Sequence, residues 1–240
     1  MAGKDMDDFK KLQTLSWPSL CQDLDNQGYA VIDRLLSPQL CRSLAGLYDN
    51  DLLFRSRVIM ARHGFGSGEY RYFRYPLPDV IAELRRALYA PLVDIANRWQ
   101  CAMGLEPHFP ANHADFAVYC HQLGQCKPTP LLLCYRQDDY NCLHQDLYSD
   151  CAFPLQVVIL LSEPNVDFTG GEFILTEQRP RMQSRVEVVP LEQGDSGVFA
   201  VHRRPLQGSR GYYRVNMRHG VSRIRSGQRY ALGIIFHDAK

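Results

Sequence analysis

Little in this 240-residue sequence speaks for export, membranes or structural zinc. Its eight cysteines never form a CxxC pair, which counts against zinc-ribbon and thioredoxin-like sites. The opening MAGKDMDDFKK is charged and holds no apolar leader core, so no export signal is expected. No apolar run approaches the length that spans a bilayer, so no membrane association is expected. Without an export route the thiols are expected to be reduced, in a cytoplasm. An excess of either charge is missing too. Lys and Arg number 27 against 26 Asp and Glu, leaving a net charge of +1. The whole molecule therefore exerts no pull on nucleic acid, and any basic surface must be local. Internal repeats, low-complexity tracts and linker-like segments are also absent.

What is present is an ordinary globular composition, long enough for one domain over 1–240 with a sizeable core. The first half, 1–128, reads as mainly helical. Apolar spacing predicts helices over Trp17–Asn26, Gln39–Tyr48, Pro78–Gly104 and Ala114–Leu123, with Pro91 expected to kink or divide the third. Tyr29–Ile32 reads as a short strand. From 129 onward come LLLCYR, PLQVVILL, GEFIL, VEVV, SGVFAV, YRVNM and YALGIIF, separated by Gly, Pro and Asp turns. So many short strands in succession predict an α+β protein whose 129–240 half is a jelly-roll, or double-stranded β-helix, of cupin-like form. The N-terminal helices would buttress it.

The chemistry concentrates in LLLCYRQDDYNCLHQDLY, residues 131–148. In an extended strand, i and i+2 share a face, so His144 and Asp146 can offer a nitrogen and a carboxylate oxygen to one point. A third ligand is expected from His219, at the end of an extended run, 73 residues after Asp146. Two histidines and a carboxylate form the facial triad that leaves ferrous iron with open positions for oxygen chemistry. Arg229, ten residues beyond His219, has the forked donors that suit a dicarboxylate cosubstrate. The competing third ligand, His202, is followed at once by Arg203 and Arg204, the wrong arginine spacing.

These motifs, with Gly170-Gly171-Glu172 and Gly194-Asp195, resemble the 2-oxoglutarate/Fe(II)-dependent dioxygenases over roughly residues 130–238. The C-terminal half is similar to the prolyl-hydroxylase branch. Tyr135, nine residues before His144, and the HQD itself resemble the AlkB-type nucleic-acid demethylases. The whole chain resembles a bacterial family described as oxygenases acting on damaged DNA. The resemblance implies Fe(II) and O2 at His144, Asp146 and His219, with 2-oxoglutarate on Arg229 and Tyr135. It implies hydroxylation of a substrate C–H, coupled to decarboxylation of 2-oxoglutarate to succinate.

For substrate there are two expectations. One is alkylated single-stranded DNA or RNA, undergoing oxidative demethylation. The other is a small molecule, amino acid or peptide side chain. Residues 55–78 interleave arginines with aromatics around three glycines, which suits a substrate lid or groove; a strand with a packed inner face is the plainer reading. Arg62, Tyr70, Tyr72, Arg74 and Arg214 are the substrate candidates. Arg203, Arg204, Arg210 and Arg214 are expected, with His202, around a substrate mouth. Asp150 and Glu172 fall near the iron or cap turns.

Overall fold

The computed structural model describes residues 11–12, 14–146 and 151–240; Asp150 lies outside them. Among the described residues, helices are α1 (Trp17–Gln27), α2 (Pro38–Gly46), α3 (Asp79–Ala102) and α4 (His113–Gln122). Local chemistry sets their ends. Ser37 accepts from the Leu40 amide and precedes a first-turn proline, and Asn112 accepts from Asp115. Gly28 closes α1 in the left-handed conformation. Pro91 does not divide α3. Leu88, Leu92 and Ile95 stay buried on either side of it, and that packing holds one helix across the missing amide.

The strands are β1 (Tyr29–Ile32), β2 (Phe54–Ile59), β3 (Gly66–Ser67), β4 (Glu69–Phe73), β5 (Leu131–Arg136), β6 (Tyr140–His144) and β7 (Leu155–Leu160). They continue with β8 (Phe168–Gly170), β9 (Phe173–Gln178), β10 (Arg185–Val189), β11 (Ser196–Ala200), β12 (Arg203–Gly208), β13 (Gly211–Val221) and β14 (Ile224–Ile234). An eight-stranded sheet runs β1-β11-β7-β14-β5-β4-β2, with β8 beside β14. A six-stranded sheet runs β10-β9-β13-β6-β3, with β12 beside β13. The pairings between these strands are antiparallel, as a jelly-roll requires.

Two cores lie on the two faces of the larger sheet. Leu132, Val157, Ile159, Leu232 and Ile234 pack outward with the helices. Their neighbours Tyr135, Val158, Leu160 and Ala231 pack inward with Phe173, Leu175 and Val221 of the smaller sheet. This is why β7 and the Tyr230–Ile234 end of β14 read as nearly unbroken apolar runs: both faces are covered. Arg85 of α3 locks the outer layer. It is fully buried, donates to the Ile235 and Phe236 carbonyls at 2.9 Å each, and pairs with Asp238 at 2.7 Å.

Strand pairing crosses the division near residue 128. The first half supplies four strands, and β1 pairs with β11 while β4 pairs with β5. Residues 55–73 are therefore no detached lid. β2 and β4 form the outer hairpin of the larger sheet, with Tyr72 opposite Leu131 and Tyr70 opposite Leu133, while β3 between them pairs with β6 of the smaller sheet. The alternating aromatics were strand-forming residues with one face inward.

Candidate active site

His144 and His219 are directly opposed residues of adjacent strands β6 and β13. Their ring centroids lie 4.2 Å apart. β6 ends at His144, so Asp146 follows the strand rather than continuing it. It still turns back to both rings: Oδ1 is 3.3 Å from His144 Nε2, and Oδ2 is 3.4 Å from His219 Nε2. One ligand atom from each of the three lies within 4.8 Å of the others, a spacing that admits one metal ion among them. The free ring nitrogen of His144 is 2.8 Å from the Cys142 carbonyl and donates to it, which fixes the ring with Nε2 facing Asp146.

The electrostatics suit a cation. Burial works to raise the Asp146 carboxyl, yet hydrogen bonds from His144 and His219 hold it far below the usual range. Burial pushes the His219 imidazole down, toward its neutral, ligating form. For His144, burial acts in the same direction but Asp146 outweighs it and raises the imidazole.

Arg229 and Tyr135 form the second part of the site. They are register partners on β14 and β5, 1% and 0% exposed. The guanidinium carbon sits 5.6 Å from the Tyr135 ring and 5.9 Å from that of Phe168. Among the described residues Arg229 has no salt bridge, and its Nε has no hydrogen-bond partner. A buried cation without an anion is costly, so the site fits a carboxylate ligand. Gly170-Gly171 makes room for it. Both glycines have positive φ, and a Cβ on Gly171 would stand 3.1 Å from Arg229 Cδ and 2.3 Å from Ile224 Cδ1.

One cavity of about 90 Å³ joins the triad to Arg229 and Tyr135, several times the room one water needs. Tyr70 and Tyr72 line it, with Phe65, Phe173 and Phe199. Burial raises both tyrosine hydroxyls. Arg62 and Arg74 are exposed and do not line it. Arg214 donates to the Met103 carbonyl at 2.7 Å and lines, with His202 and Arg203, a neighbouring cavity that shares Asp146. Arg204 must leave the expected substrate mouth. It is fully buried, pairs with Glu177 and donates to the Asp25 carbonyl at 2.8 Å. Glu172 accepts from Ser222, at a turn.

Two cavity residues escaped the sequence reading, Asn141 and Gln156. Strict alternation puts Asn141 opposite to His144. A bulge between His219 and Val221 shifts the register and brings Asn141 inward, where its amide is 3.4 Å from the Tyr135 hydroxyl. Gln156 carried a readable signal: it is the one polar residue in PLQVVILL.

The profile of a family described as "Oxygenase, catalysing oxidative methylation of damaged DNA" matches residues 68–239. The chain belongs to this oxygenase family. Proteins from two strains of Mycobacterium tuberculosis, CDC 1551 / Oshkosh and ATCC 25618 / H37Rv, both named only as uncharacterized, are each 51% identical to it over 167 residues. These alignments span 70% of this chain and 72% of each relative. Among solved structures, a Pseudomonas putida prolyl-4-hydroxylase aligns with TM-score 0.55 at 15% identity, covering 93% of this chain and 99% of its own. A 2OG-Fe(II) oxygenase family oxidoreductase from Burkholderia pseudomallei gives 0.53 at 16%, covering 94% and 93%. A Trichoplax adhaerens prolyl hydroxylase, in complex with a hypoxia inducible factor peptide fragment, gives 0.54 at 14%, covering 99% and 94%. The oxygenase thus has the double-stranded β-helix of the 2-oxoglutarate/Fe(II) oxygenases. Among its described residues no helix is long and apolar enough to cross a membrane.

Proposed function

We propose that this oxygenase uses Fe(II), 2-oxoglutarate and O2 to hydroxylate N-methyl groups on bases of alkylated single-stranded nucleic acid, in the cytoplasm. The observation that carries the reading is Arg229, buried with no salt bridge among the described residues, in the same cavity as the His144–Asp146–His219 triad.

His144, Asp146 and His219 would hold the metal on one side and leave its remaining positions toward the cavity. Bound there, iron supplies oxygen activation coupled to the decarboxylation of 2-oxoglutarate. Arg229 pairs with the distal carboxylate of 2-oxoglutarate through its forked donors, and the Tyr135 hydroxyl, steadied by Asn141, donates beside it. Phe173, Phe199, Leu131 and Val158 keep the remainder of the cavity apolar and exclude water. Tyr70 and Tyr72 offer ring faces at its wall, as a base taken out of its stack requires. Hydroxylation of an N-methyl carbon leaves a carbinolamine, which releases formaldehyde and returns the bare base.

The test is succinate formation by the iron-loaded protein, with and without single-stranded DNA carrying N-methylated bases, and with His144→Ala as control. Stimulation by the methylated strand, with formaldehyde released and both lost in the variant, supports the demethylase. Triad-dependent turnover that ignores DNA moves the substrate to a small molecule, amino acid or peptide side chain. That alternative has one observation in its favour: Arg57 and Arg71, which could have met phosphates, are already paired with Glu69 and Asp51. No turnover in either condition would reject the cofactor assignment.

A further inference from the structure

The inner wall of the larger sheet changes character from one end of the cavity to the other. At one end stand Arg229 and Tyr135, opposite each other. The next inward-facing positions are apolar. Ala231 lies between Leu160 and Leu133, and then Gly233 lies between Val158 and Leu131. At the far end, two positions before Val158 on β7, comes Gln156. Its register partner is Phe199, whose ring centroid is 4.7 Å from that of His219.

Gln156 is 4% exposed and lines the cavity, yet its amide nitrogen has no hydrogen-bond partner among the described residues. Buried polar groups are nearly always paired, so an orphaned amide in an apolar wall calls for a ligand. The ligand is not 2-oxoglutarate, whose anchors lie at the opposite end of the wall. Between the two ends the wall is apolar, lined by Leu131, Leu133, Val158 and Ala231, and suits the face of a ring. The Leu131 side chain fills the space beside Gly233, with Cδ2 3.1 Å from where a Cβ would stand.

We propose that Gln156 is the specificity-determining residue of the active site: its carboxamide reads the exocyclic group beside the N-methyl of a base held against this apolar wall. The assignment rests on the demethylase reading above. A carboxamide carries both an acceptor and two donors. Its oxygen accepts from an exocyclic amine, and its nitrogen donates to a ring carbonyl. Bases of both kinds would be substrates, with the carboxamide turning to suit each. A side chain that only accepts would distinguish them.

The experiment uses the full chain loaded with iron and 2-oxoglutarate. Single-stranded oligonucleotides carry a base methylated on its pairing-edge nitrogen, either adenine or cytosine, which have an exocyclic amine, or thymine, which has carbonyls alone. Formaldehyde release gives kcat/KM for each. In Gln156→Glu, which keeps the acceptors and loses the donors, the ratio of amine-bearing to carbonyl-bearing substrate should rise at least about tenfold, the cost of one unpaired polar contact. In Gln156→Leu, kcat/KM should fall about 10–100-fold on both kinds. The ratio is internal to each protein, so general damage to the fold leaves it unmoved. An unchanged ratio in Gln156→Glu, with active wild type, overturns the role of Gln156 alone. A wild type that acts on no methylated strand overturns the demethylase reading, and the assignment with it.

Discussion

Arg229 and Tyr135 face each other across β14 and β5, so a single strand pairing sets the distance between the cation and the hydroxyl of the proposed cosubstrate site. Position along the sequence separates them by 94 residues, and register alone unites them. Arg229→Gln removes charge-assisted bonds of about 1.5–3 kcal/mol, so the Kd for 2-oxoglutarate should rise about 10–100-fold. Tyr135→Phe removes a neutral bond of about 0.5–1.5 kcal/mol and should raise it about 2–10-fold. Calorimetric titration of the Mn(II)-loaded protein checks both. Equal affinities in wild type and Arg229→Gln would falsify the anchor.

Gly68 ties the outer hairpin to that same tyrosine. Its φ is +122°, and a Cβ there would stand 2.9 Å from Tyr135 Cδ1. The ring is fully buried and cannot swing aside. Gly68→Ala should lower the thermal midpoint by roughly 2–12 °C, from about 1–3 kcal/mol of backbone strain. It should also weaken 2-oxoglutarate binding, by displacing the Tyr135 hydroxyl. Gly64 provides the control: its φ is +70°, but nothing lies within 4 Å of the Cβ. Gly64→Ala should lose stability and keep its cosubstrate affinity. If both variants bind 2-oxoglutarate as wild type does, the contact is without consequence.

The buried pair Arg204–Glu177 joins β12 to β9, with Arg204 also holding the end of α1 through the Asp25 and Asn26 carbonyls. Arg204→Met leaves Glu177 buried beside Arg179 alone and should cost about 3–5 kcal/mol in urea unfolding. The double variant Arg204→Met/Glu177→Leu should recover most of that loss, since no uncompensated charge is left. A double variant as unstable as the single would mean that the α1 carbonyl contacts dominate.

What the sequence revealed and concealed follows from the range of each interaction. Short-range pattern was legible: β1 falls on Tyr29–Ile32 as read, and helix ends lie within a few residues where Ser37 and Gly28 cap. That His144, Asp146 and His219 come together was legible, because ligand chemistry restricts residue type and spacing. Pairing was not. Nothing local says that Tyr72 lies opposite Leu131, so a sheet-edge hairpin read as a possible lid. Nothing local says that Arg204 meets Glu177, so a buried arginine read as a surface one. Asn141 was hidden by a bulge in the partner strand, which inverts the parity a lone strand would have.

The end of β14 carries a pH dependence set by burial. Burial lowers both His113 and His237 from 6.5 to about 4, with Arg85 nearby adding to the shift. The contacts agree with neutral rings. His237 Nδ1 accepts from the Phe153 amide at 3.2 Å, which a protonated nitrogen could not do, and His113 Nε2 lies 2.9 Å from the Phe236 carbonyl. Unfolded, both rings bind protons near pH 6.5; folded, they resist until about pH 4. The unfolded state therefore binds more protons across that window, and stability must rise with pH through it. The contribution is full above about pH 6.5 and is lost as pH falls toward 4. Asp238, also lowered, titrates below this window and does not account for it. Urea midpoints measured between these limits should fall on acidification, and His113→Asn/His237→Gln should flatten the slope. A double variant with the same slope as wild type would show that the two rings are not its source.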